Sequence, residues 1–447
     1  MIEPSLPPMI PVPAPVAGLV FALTGARRTA RLRGRYGRAY QVKIPGVGVC
    51  VAVSDPALVK QVFTAKPDVV RAGGDFNPLS RTLGPKSMFA IDGDEHLRQR
   101  RLLLPPFHGE RMGAYTSIFE EETLREIATW PEGEEFPTIP GTMRITLNAI
   151  LRAVFGAHDE EFDEFLEFMP PWVKLGSLLT SAPGLQRDLG RRSPWGRFLA
   201  YRRRFDGLVD RLIAQGRNDP NLTERSDVLA LMLQARYDDG GEMTRDEIAD
   251  QLLAMLVAGH ETTAGTLAWA VERLRRHPVL LQRLADEIEE GGSALREATI
   301  YEVQRTRPVI AGATRLVEQP FALGEWVLPP GMVVLIDSVG LHTDPELFPD
   351  PYRFDPDRFV GTKPDTYQWV PFGGGRRRCI GAAFAQLEMD VVLRVMIEQL
   401  ELIPTSERDE KWRFRGVAFA PSRGGAARVR RRAVPLQARR EAEAALA

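Results

Sequence analysis

The longest regular pattern in this sequence is a helix predicted to run from Thr244 to His277. Thr244 and Glu247 have the spacing of a capping box, and Pro278 ends the run. At 1.5 Å per residue, a helix of this length spans about 50 Å. The chain must therefore adopt a fold in which one helix crosses the whole protein.

Shorter patterns predict the rest of the fold class. Further helices are expected from Ser293 to Thr306 and from Gly381 to Leu402. A Val- and Gly-rich alternation predicts a hairpin from Gln41 to Val53, and a strand is expected from Met332 to Ile336. No internal repeat and no Gly/Ser linker divides the sequence. We therefore expect a single domain that is mainly α with small β-sheets (α+β).

The composition excludes several classes of protein. Lys and Arg total 58 and Asp and Glu total 59, so the net charge of -1 gives no reason to expect nucleic acid as a partner. The apolar run at residues 14–23 is shorter than the roughly 20 residues that span a bilayer, and no secretory signal is visible. We expect a cytoplasmic protein without a transmembrane anchor, whose proline-rich start runs extended over the surface.

The chain has two cysteines, Cys50 and Cys379. This number rules out a disulfide scaffold and a zinc site with four thiolates, and it is typical of a reducing compartment. Cys50 falls in the second strand of the predicted hairpin, where we expect a small, buried core residue.

Cys379 lies in a glycine- and arginine-rich loop just before the helix predicted from Gly381. The sequence from Phe372 to Gly381 reads FGGGRRRCIG and matches the pattern F-x-x-G-x-R-x-C-x-G. A helix N-terminus and neighbouring arginines stabilise a thiolate. Such a thiolate can act as a nucleophile, although no partner base can be identified from one sequence. It can also act as a metal ligand, for example to heme iron from one side.

With this motif the chain resembles the cytochromes P450, which are heme-thiolate monooxygenases, over residues 35–430. The resemblance implies the cytochrome P450 fold in one catalytic domain, with a proline-rich extension at 1–34 and a charged tail at 431–447. It implies heme b (iron protoporphyrin IX) as cofactor and Cys379 as the ligand of the metal. Phe372 would shield the sulfur, and Gly375 and Gly381 would let the backbone approach the sulfur and the porphyrin.

The long helix carries a second segment of this family, with the sequence AGHETT from Ala258 to Thr263. A glycine and a threonine that bonds back to the helix weaken its hydrogen-bond ladder and can open a groove. By resemblance, Ala258 would line the heme pocket, while Thr262 would hydrogen-bond dioxygen and Glu261 would relay protons as the catalytic pair. A zinc-protease interpretation fails, because H-E-x-x-H requires His where Ala264 stands.

Glu302 and Arg305 are three residues apart on one predicted helix face, and they match the family's E-x-x-R. Arg358, in the segment FDPDRF, supplies the second arginine that normally joins this pair. An Arg–Glu–Arg cluster fixes geometry more reliably than it adds stability. We therefore expect these three residues to be structural and not catalytic.

Heme propionates need cations or hydrogen-bond donors. His96 and Arg100 are four residues apart, hence on one helical face, and they match family positions that serve this purpose. Arg377 and Arg315 match two further such positions, Arg315 by a looser spacing. All four are expected to bind the cofactor.

The implied reaction is hydroxylation: one oxygen atom from O2 enters a C–H bond of a lipophilic substrate such as a fatty acid, terpenoid or steroid. By family position, largely apolar residues at 76–89, 309–311 and 417–419, with Leu256 and Ala258 of the long helix, would line the pocket. Electrons would come from an external ferredoxin and an NAD(P)H-dependent ferredoxin reductase, because no room remains for a fused flavin domain.

The alternatives to this function are a peroxygenase or oxygen-independent isomerase, and a non-catalytic heme protein that binds a gas or a ligand. The presence of both Glu261 and Thr262 argues against them.

Two groups of arginines are predicted to lie on the protein surface. Arg98, Arg101, Arg376 and Arg378 are predicted to form a basic patch that docks a small acidic ferredoxin. A second run of arginines at residues 191–204 lies in a region that resembles the family's access helices. We expect that run to be a solvated face.

Overall fold

The computed structural model describes residues 5–11, 26–44, 47–156 and 160–436, so parts of the predicted extension and tail (1–4, 12–25 and 437–447) lie outside the described residues. Helices dominate, and the strands form small sheets, as predicted. The helices are α1 (Ala26–Tyr36), α2 (Pro56–Thr64), α3 (Ser80–Leu83), α4 (Gly93–Leu103), α5 (Gly113–Ile127), α6 (Ile139–Phe155), α7 (Glu160–Ser181), α8 (Pro194–Asn218), α9 (Val228–Gln234), α10 (Arg245–Leu274), α11 (Pro278–Glu290), α12 (Ala294–Thr306), α13 (Ser338–His342) and α14 (Ala382–Gln399). The strands are β1 (Ala39–Ile44), β2 (Gly48–Val53), β3 (Val70–Arg71), β4 (Phe136–Pro137), β5 (Gly312–Val317), β6 (Phe321–Leu323), β7 (Trp326–Leu328), β8 (Val333–Asp337), β9 (Leu400–Leu402), β10 (Trp412–Phe414), β11 (Phe419–Pro421), β12 (Ala426–Ala427) and β13 (Val429–Arg431).

The predicted long helix is α10, and its capping box is present. The Glu247 backbone N–H donates to Thr244 Oγ1, and the Thr244 N–H donates to the Glu247 carboxylate (2.7 Å). The helix ends earlier than predicted, at Leu274. The reason is that the N–H groups of Arg276 and His277 bond to carbonyls three residues back, which tightens the last turn.

The other predicted elements are present, with small shifts at their ends. The hairpin is β1–β2, in which Val42 lies opposite Cys50. Cys50 is 1% exposed, and burial raises the pKa of its thiol to about 11, so the prediction of a core residue is confirmed. The helix predicted from Gly381 to Leu402 is shorter, because its last three residues form β9, which pairs with β13.

By internal contacts the chain divides into two compact units, residues 1–72 with 294–379 and residues 73–293 with 380–447. The first unit holds a five-stranded sheet in the order β1-β2-β8-β5-β3. Its β2 and β8 are parallel, and its other pairs are antiparallel. The core beneath it is aliphatic, with Phe63 of α2 among its members. In the extended segment 5–11, Met9 pairs with Gln41 of β1.

The second unit is built around α10, which packs on α6. Thr142 Oγ1 donates to the Ala264 carbonyl (3.1 Å), and Thr146 Oγ1 donates to the His260 carbonyl (3.0 Å). Gly259 also approaches α6 closely, since a Cβ there would lie 3.3 Å from Ile150. These contacts fix the middle of α10, which carries the predicted catalytic pair.

Candidate active site

Cys379 ends a tight loop in the first unit that backbone hydrogen bonds hold closed. The Cys379 N–H donates to the Phe372 carbonyl (2.9 Å), and the Arg378 N–H donates to the Gly375 carbonyl (3.1 Å). The Cys379 side chain is exposed, in contrast to that of Cys50. The loop therefore presents its sulfur at the surface of the protein, three residues before Ala382, where α14 begins.

The close approach of Phe63 requires glycine at two positions of this loop. Gly375 has φ +60, and a Cβ there would lie 1.9 Å from the Phe63 carbonyl oxygen. A Cβ on Gly374 would lie 2.6 Å from the Phe63 ring. Gly375 was predicted to serve the approach to sulfur and porphyrin, but the constraint seen here is the Phe63 backbone. At Gly381 a Cβ would meet no heavy atom within 4 Å, so protein packing does not explain that glycine.

The other predicted cofactor residues of the first unit lie in the cysteine loop or beside Phe63. Phe372 is partly buried and packs edge-on against Trp369, with 6.0 Å between ring centroids. The Arg315 guanidinium lies over the Phe63 ring, 5.3 Å from its centroid. Arg377 belongs to the 3-10 turn Gly375–Arg377 inside the loop. The structure thus brings Arg315 and the cysteine loop to one residue, Phe63.

The predicted Arg–Glu–Arg cluster is present and buried. Arg305 Nε and Nη2 donate to the two oxygens of Glu302 at 2.7 Å each, and Arg358 Nε lies 3.3 Å from Glu302 Oε2. Arg305 Nη1 also donates to the His342 carbonyl (2.6 Å). Both Glu302 and Arg305 are at most 1% exposed. The cluster fastens α12 to the loops around it, which is the structural role that the sequence predicts.

His342, at the end of α13, has a role that sequence reasoning missed. Its Nε2 accepts a hydrogen bond from the Val370 N–H (3.0 Å), two residues before Phe372. Burial and the nearby Arg305 lower the pKa of His342 to about 3, so the ring is neutral. No motif marks this histidine, yet it connects the Arg–Glu–Arg cluster to the start of the cysteine loop.

In the second unit, the middle of α10 is locally accessible. The helix is mostly buried, but Val257 to Gly259, Glu261 and Thr262 remain partly exposed. Thr262 Oγ1 donates to the Ala258 carbonyl (2.8 Å), which is the back-bonding that the sequence predicts. This stretch therefore presents one hydroxyl and one carboxyl group on an accessible helix surface.

The two residues that flank the predicted catalytic pair, Glu261 and Thr262, are turned inward. His260 is 3% exposed; its Nδ1 lies 2.7 Å from the Leu256 carbonyl, and burial lowers its pKa. Thr263 interacts with Glu388 of α14, and complete burial raises the pKa of Glu388 well above its usual value. Both flanking residues are thus structural, and the zinc-ligand interpretation of His260 stays excluded.

Glu261 has two partners that no sequence pattern indicates. Arg415 Nε lies 3.5 Å from Glu261 Oε1, and Ser177 Oγ of α7 lies 3.5 Å from Glu261 Oε2. Burial raises the pKa of Glu261, whereas Arg415 and Ser177 oppose the rise, and the net shift is upward. At a given pH, a larger fraction of Glu261 is therefore protonated than of an ordinary carboxyl group, which suits a residue that takes up and releases protons.

The turn that carries Arg415 is held against α7. A Cβ on Gly416, which has φ +108, would lie 2.6 Å from the Ser177 carbonyl oxygen. Ser181 Oγ donates to the Gly416 carbonyl. The β10–β11 turn and the end of α7 thus fix the position of Arg415 beside Glu261.

We predict that Arg415→Gln raises the pKa of Glu261 further, because the variant loses the cation that favours the carboxylate. A step that needs ionised Glu261 then requires a higher pH, so the acidic limb of the pH profile for product formed per NAD(P)H shifts upward. Arg413→Gln, an exposed arginine on the same hairpin, is the matched control and should leave the profile in place. Identical profiles for Arg415→Gln and the parent would contradict the assignment.

His96 and Arg100 lie on α4, as predicted, and His96 is 3% exposed. The exposed arginines of the same helix have acidic neighbours. Arg98 Nη2 lies 2.9 Å from Asp239, and Arg101 Nη1 lies 3.0 Å from Asp238. The predicted basic patch is thus wrong for this helix, since a carboxylate offsets each arginine.

Each unit holds side chains whose donor chemistry suits heme. The first unit has the exposed Cys379 thiol together with Arg315 and Arg377, and the second unit has His96 and Arg100 on α4. Within the described parts of the chain, no group of three or more His, Cys, Asp and Glu side chains could hold a metal ion.

Comparisons with known proteins point the same way. A family model for cytochrome P450 matches residues 7–425. Cytochrome P450 138 of Mycobacterium tuberculosis (strain ATCC 25618 / H37Rv) is 52% identical over 429 residues, covering 96% of this chain and 97% of that protein. Cytochrome P450 135B1 of the same strain is 38% identical over 433 residues, covering 95% and 91%.

Two solved structures share the fold. Retinoic acid-bound cyanobacterial CYP120A1 superposes with a TM-score of 0.83 at 22% identity, covering 96% of this chain and 100% of that one. The cytochrome P450DA heme domain superposes with a TM-score of 0.78 at 22% identity, covering 96% and 98%.

Proposed function

Because this chain belongs to the cytochrome P450 family, we propose that it hydroxylates a lipophilic substrate with one oxygen atom of O2. The family makes it a heme-thiolate oxidoreductase of the monooxygenase class, with heme b (iron protoporphyrin IX) as cofactor. The observation that carries the proposal is the accessible Cys379 thiol on a loop closed by backbone bonds before α14. Bound heme supplies the activation of dioxygen, which electron donation from a thiolate favours.

We assign the protein's groups around the cofactor by the matched family positions. Cys379 would hold the iron, and Phe372 and Gly381 would border the sulfur and the porphyrin. His96, Arg100, Arg315 and Arg377 would bind the propionates, and Ala258 would line the pocket. Gly375 contributes indirectly, because its left-handed backbone lets the loop pack on Phe63.

The catalytic pair handles protons. Glu261 exchanges a proton with solvent at its carboxylate, which Arg415 and Ser177 hold at 3.5 Å each. Thr262 Oγ1 donates to the Ala258 carbonyl in the structure and can rotate to donate to an oxygen atom of the reactants. A proton taken up by Glu261 would thus pass to the oxygen through Thr262 and water.

This proton pathway favours a monooxygenase over a peroxygenase, an isomerase or a non-catalytic heme protein, because those need no such relay.

Titration of the ferric protein with fatty acids, terpenoids and steroids tests substrate binding. A low-spin to high-spin shift is expected with one of these classes. The reaction is then tested by measuring whether an oxygenated product forms only when NAD(P)H and electron-transfer proteins are supplied. Ligand binding with no product under any donor would support the non-catalytic alternative.

The electron donors are proposed to be an external ferredoxin and an NAD(P)H-dependent ferredoxin reductase, in the cytoplasm. In the parts of the chain that the structure describes, every helix is too short or too polar to span a bilayer. With Arg98 and Arg101 offset by acidic neighbours, the exposed Arg376 and Arg378 beside Cys379 are the better docking cations.

We predict that Arg378→Glu slows reduction by ferredoxin about tenfold at low salt, since opposite charges accelerate encounter between proteins. Arg98→Gln should have a smaller effect, because Asp239 already offsets that charge. Dithionite reduction should be equal in all variants, and added salt should shrink the difference through screening. A larger effect at Arg98 than at Arg378 would contradict this placement of the donor.

A further inference from the structure

Arg415 is the first residue of the turn that joins β10 to β11, and its side chain extends away from that hairpin. Its N–H donates to the Ala418 carbonyl (2.9 Å), which closes the turn. The guanidinium reaches α10, where Nε lies 3.5 Å from Glu261 Oε1, and α6, where Nη2 lies 3.9 Å from Met143 Sδ. The side chain, which is 34% exposed, therefore lies against the accessible middle of α10.

These two contacts leave most of the hydrogen-bonding capacity of Arg415 unused. A guanidinium has five N–H donors, and its bond to a carboxylate is about 2.7–2.9 Å long. The Glu261 oxygen is farther away than that, and a thioether sulfur is a weak acceptor. Arg202 of α8, which the sequence predicts to lie on a solvated face, is by contrast 2.5 Å from Asp250. No carboxylate of the described residues lies as close to Arg415.

Glu261 is a weak counter-ion for this cation. Burial raises the pKa of Glu261, so its carboxyl group is protonated in a larger share of molecules than an exposed carboxyl group would be. The other oxygen of Glu261 lies 3.5 Å from Ser177 Oγ, which carries no charge. The hairpin supplies no compensating charge, because residues 411–423 include no acidic side chain. An anion from outside the protein would therefore be attracted to Arg415.

Apolar groups surround this cation on three elements. On α10, Ala258 is partly exposed one turn before Glu261. In the turn after β10, Val417 is partly exposed, and on α6 the Met143 thioether contacts the guanidinium. A ligand beside Arg415 thus meets one cation and hydrocarbon surfaces. Such a combination is typical of sites that orient a lipophilic molecule by one polar group.

We propose that Arg415 binds the carboxylate of an acidic lipophilic substrate, such as a fatty acid, a terpenoid acid or a steroid acid. The proposal rests on the function proposed above and names the chemical class of its substrate. Nη1 and Nη2 can donate two parallel hydrogen bonds to one carboxylate, while Nε stays near Glu261. A neutral lipophile of the same shape lacks the charge and the second acceptor oxygen of the carboxylate. Arg415 therefore selects acids.

Equilibrium dialysis of the ferric, heme-loaded protein measures the affinity without any turnover. Hexadecanoic acid, abietic acid and lithocholic acid are the probes for fatty acids, terpenoid acids and steroid acids. Each acid is paired with its own primary amide, which has nearly the same shape and no charge. We expect one of the acids to bind about tenfold more tightly than its amide, or more, because hydrogen bonds to an ionised partner are stronger than neutral ones.

Four variants test whether Arg415 is the source of this preference. Arg415→Gln should weaken binding of the preferred acid about tenfold and leave its amide unaffected. Arg415→Lys, which keeps the charge without the planar fork, should restore part of the affinity. Glu261→Gln should tighten binding of the acid alone, because it removes the carboxylate that competes for Arg415. Arg413→Gln, at an exposed arginine of the same hairpin, is the matched control and should bind both ligands like the wild type.

The proposal is overturned if acids and amides bind the wild type equally, if Arg415→Gln weakens both ligands alike, or if Arg413→Gln loses the preference as well. Tight and equal binding of acids and amides would leave the proposed hydroxylation of a lipophilic substrate intact. Absence of binding by every probe would contradict the lipophilic substrate and this proposal together. Every variant must keep the Soret band of its reduced carbon monoxide complex as proof of folding.

Discussion

The Cys379→Ala protein is expected to keep its fold and to lose the red-shifted Soret band of its reduced carbon monoxide complex. That band requires a thiolate on the iron, and alanine removes the sulfur. The fold should persist because the Cys379 side chain is exposed and because the loop is held by backbone bonds, such as the one from its N–H to the Phe372 carbonyl (2.9 Å). Monooxygenase activity should fall below detection.

Cys50→Ala is the matched control, since it removes the second of the two cysteines. Cys50 is 1% exposed in β2, so the variant should lose on the order of 1 kcal/mol of stability through a small cavity. Its carbon monoxide spectrum should equal that of the wild type. If the thiolate band survives in Cys379→Ala, the assignment of the ligand is wrong.

The Thr262→Ala protein is expected to bind heme and substrate almost normally and to release hydrogen peroxide in place of product. The lost hydrogen bond to the Ala258 carbonyl is worth only about 1 kcal/mol. Proton delivery should suffer far more, and product per NAD(P)H should fall about tenfold or more, at the low end of what a positioned proton donor contributes. Product and peroxide measured together against NAD(P)H consumed give the partition.

Thr266→Ala is the control for this second variant. Thr266 lies one turn along α10, and its Oγ1 donates to the Thr262 carbonyl (3.0 Å) in the same back-bonding geometry. Thr266→Ala should divide the consumed NAD(P)H between product and peroxide nearly as the wild type does. Thr262→Ser, which keeps the hydroxyl group, should restore much of the product yield. Equal yields from Thr262→Ala and the wild type would remove Thr262 from the proton pathway.

The sequence by itself determined the features that depend on neighbours along the chain. The capping box at Thr244 and Glu247, the pairing of Glu302 with Arg305, and the back-bonding of Thr262 are each set by a spacing of three or four residues, which a helix turns into contact. The cysteine loop was recognisable for the same reason, because its glycines, arginines and Cys379 are consecutive.

Only the tertiary structure decided which distant residues meet these motifs. Arg415 reaches Glu261 from a hairpin, His342 reaches Val370 from α13, and the Phe63 backbone sets the need for glycine at position 375. None of these pairs has a periodic relation in the chain, so no pattern could indicate them. The same holds for surface charge, because the electrostatic field at a surface depends on all the charges that folding brings together there. The sequence around Arg98 predicts a basic surface, but folding places Asp239 2.9 Å from the Arg98 guanidinium.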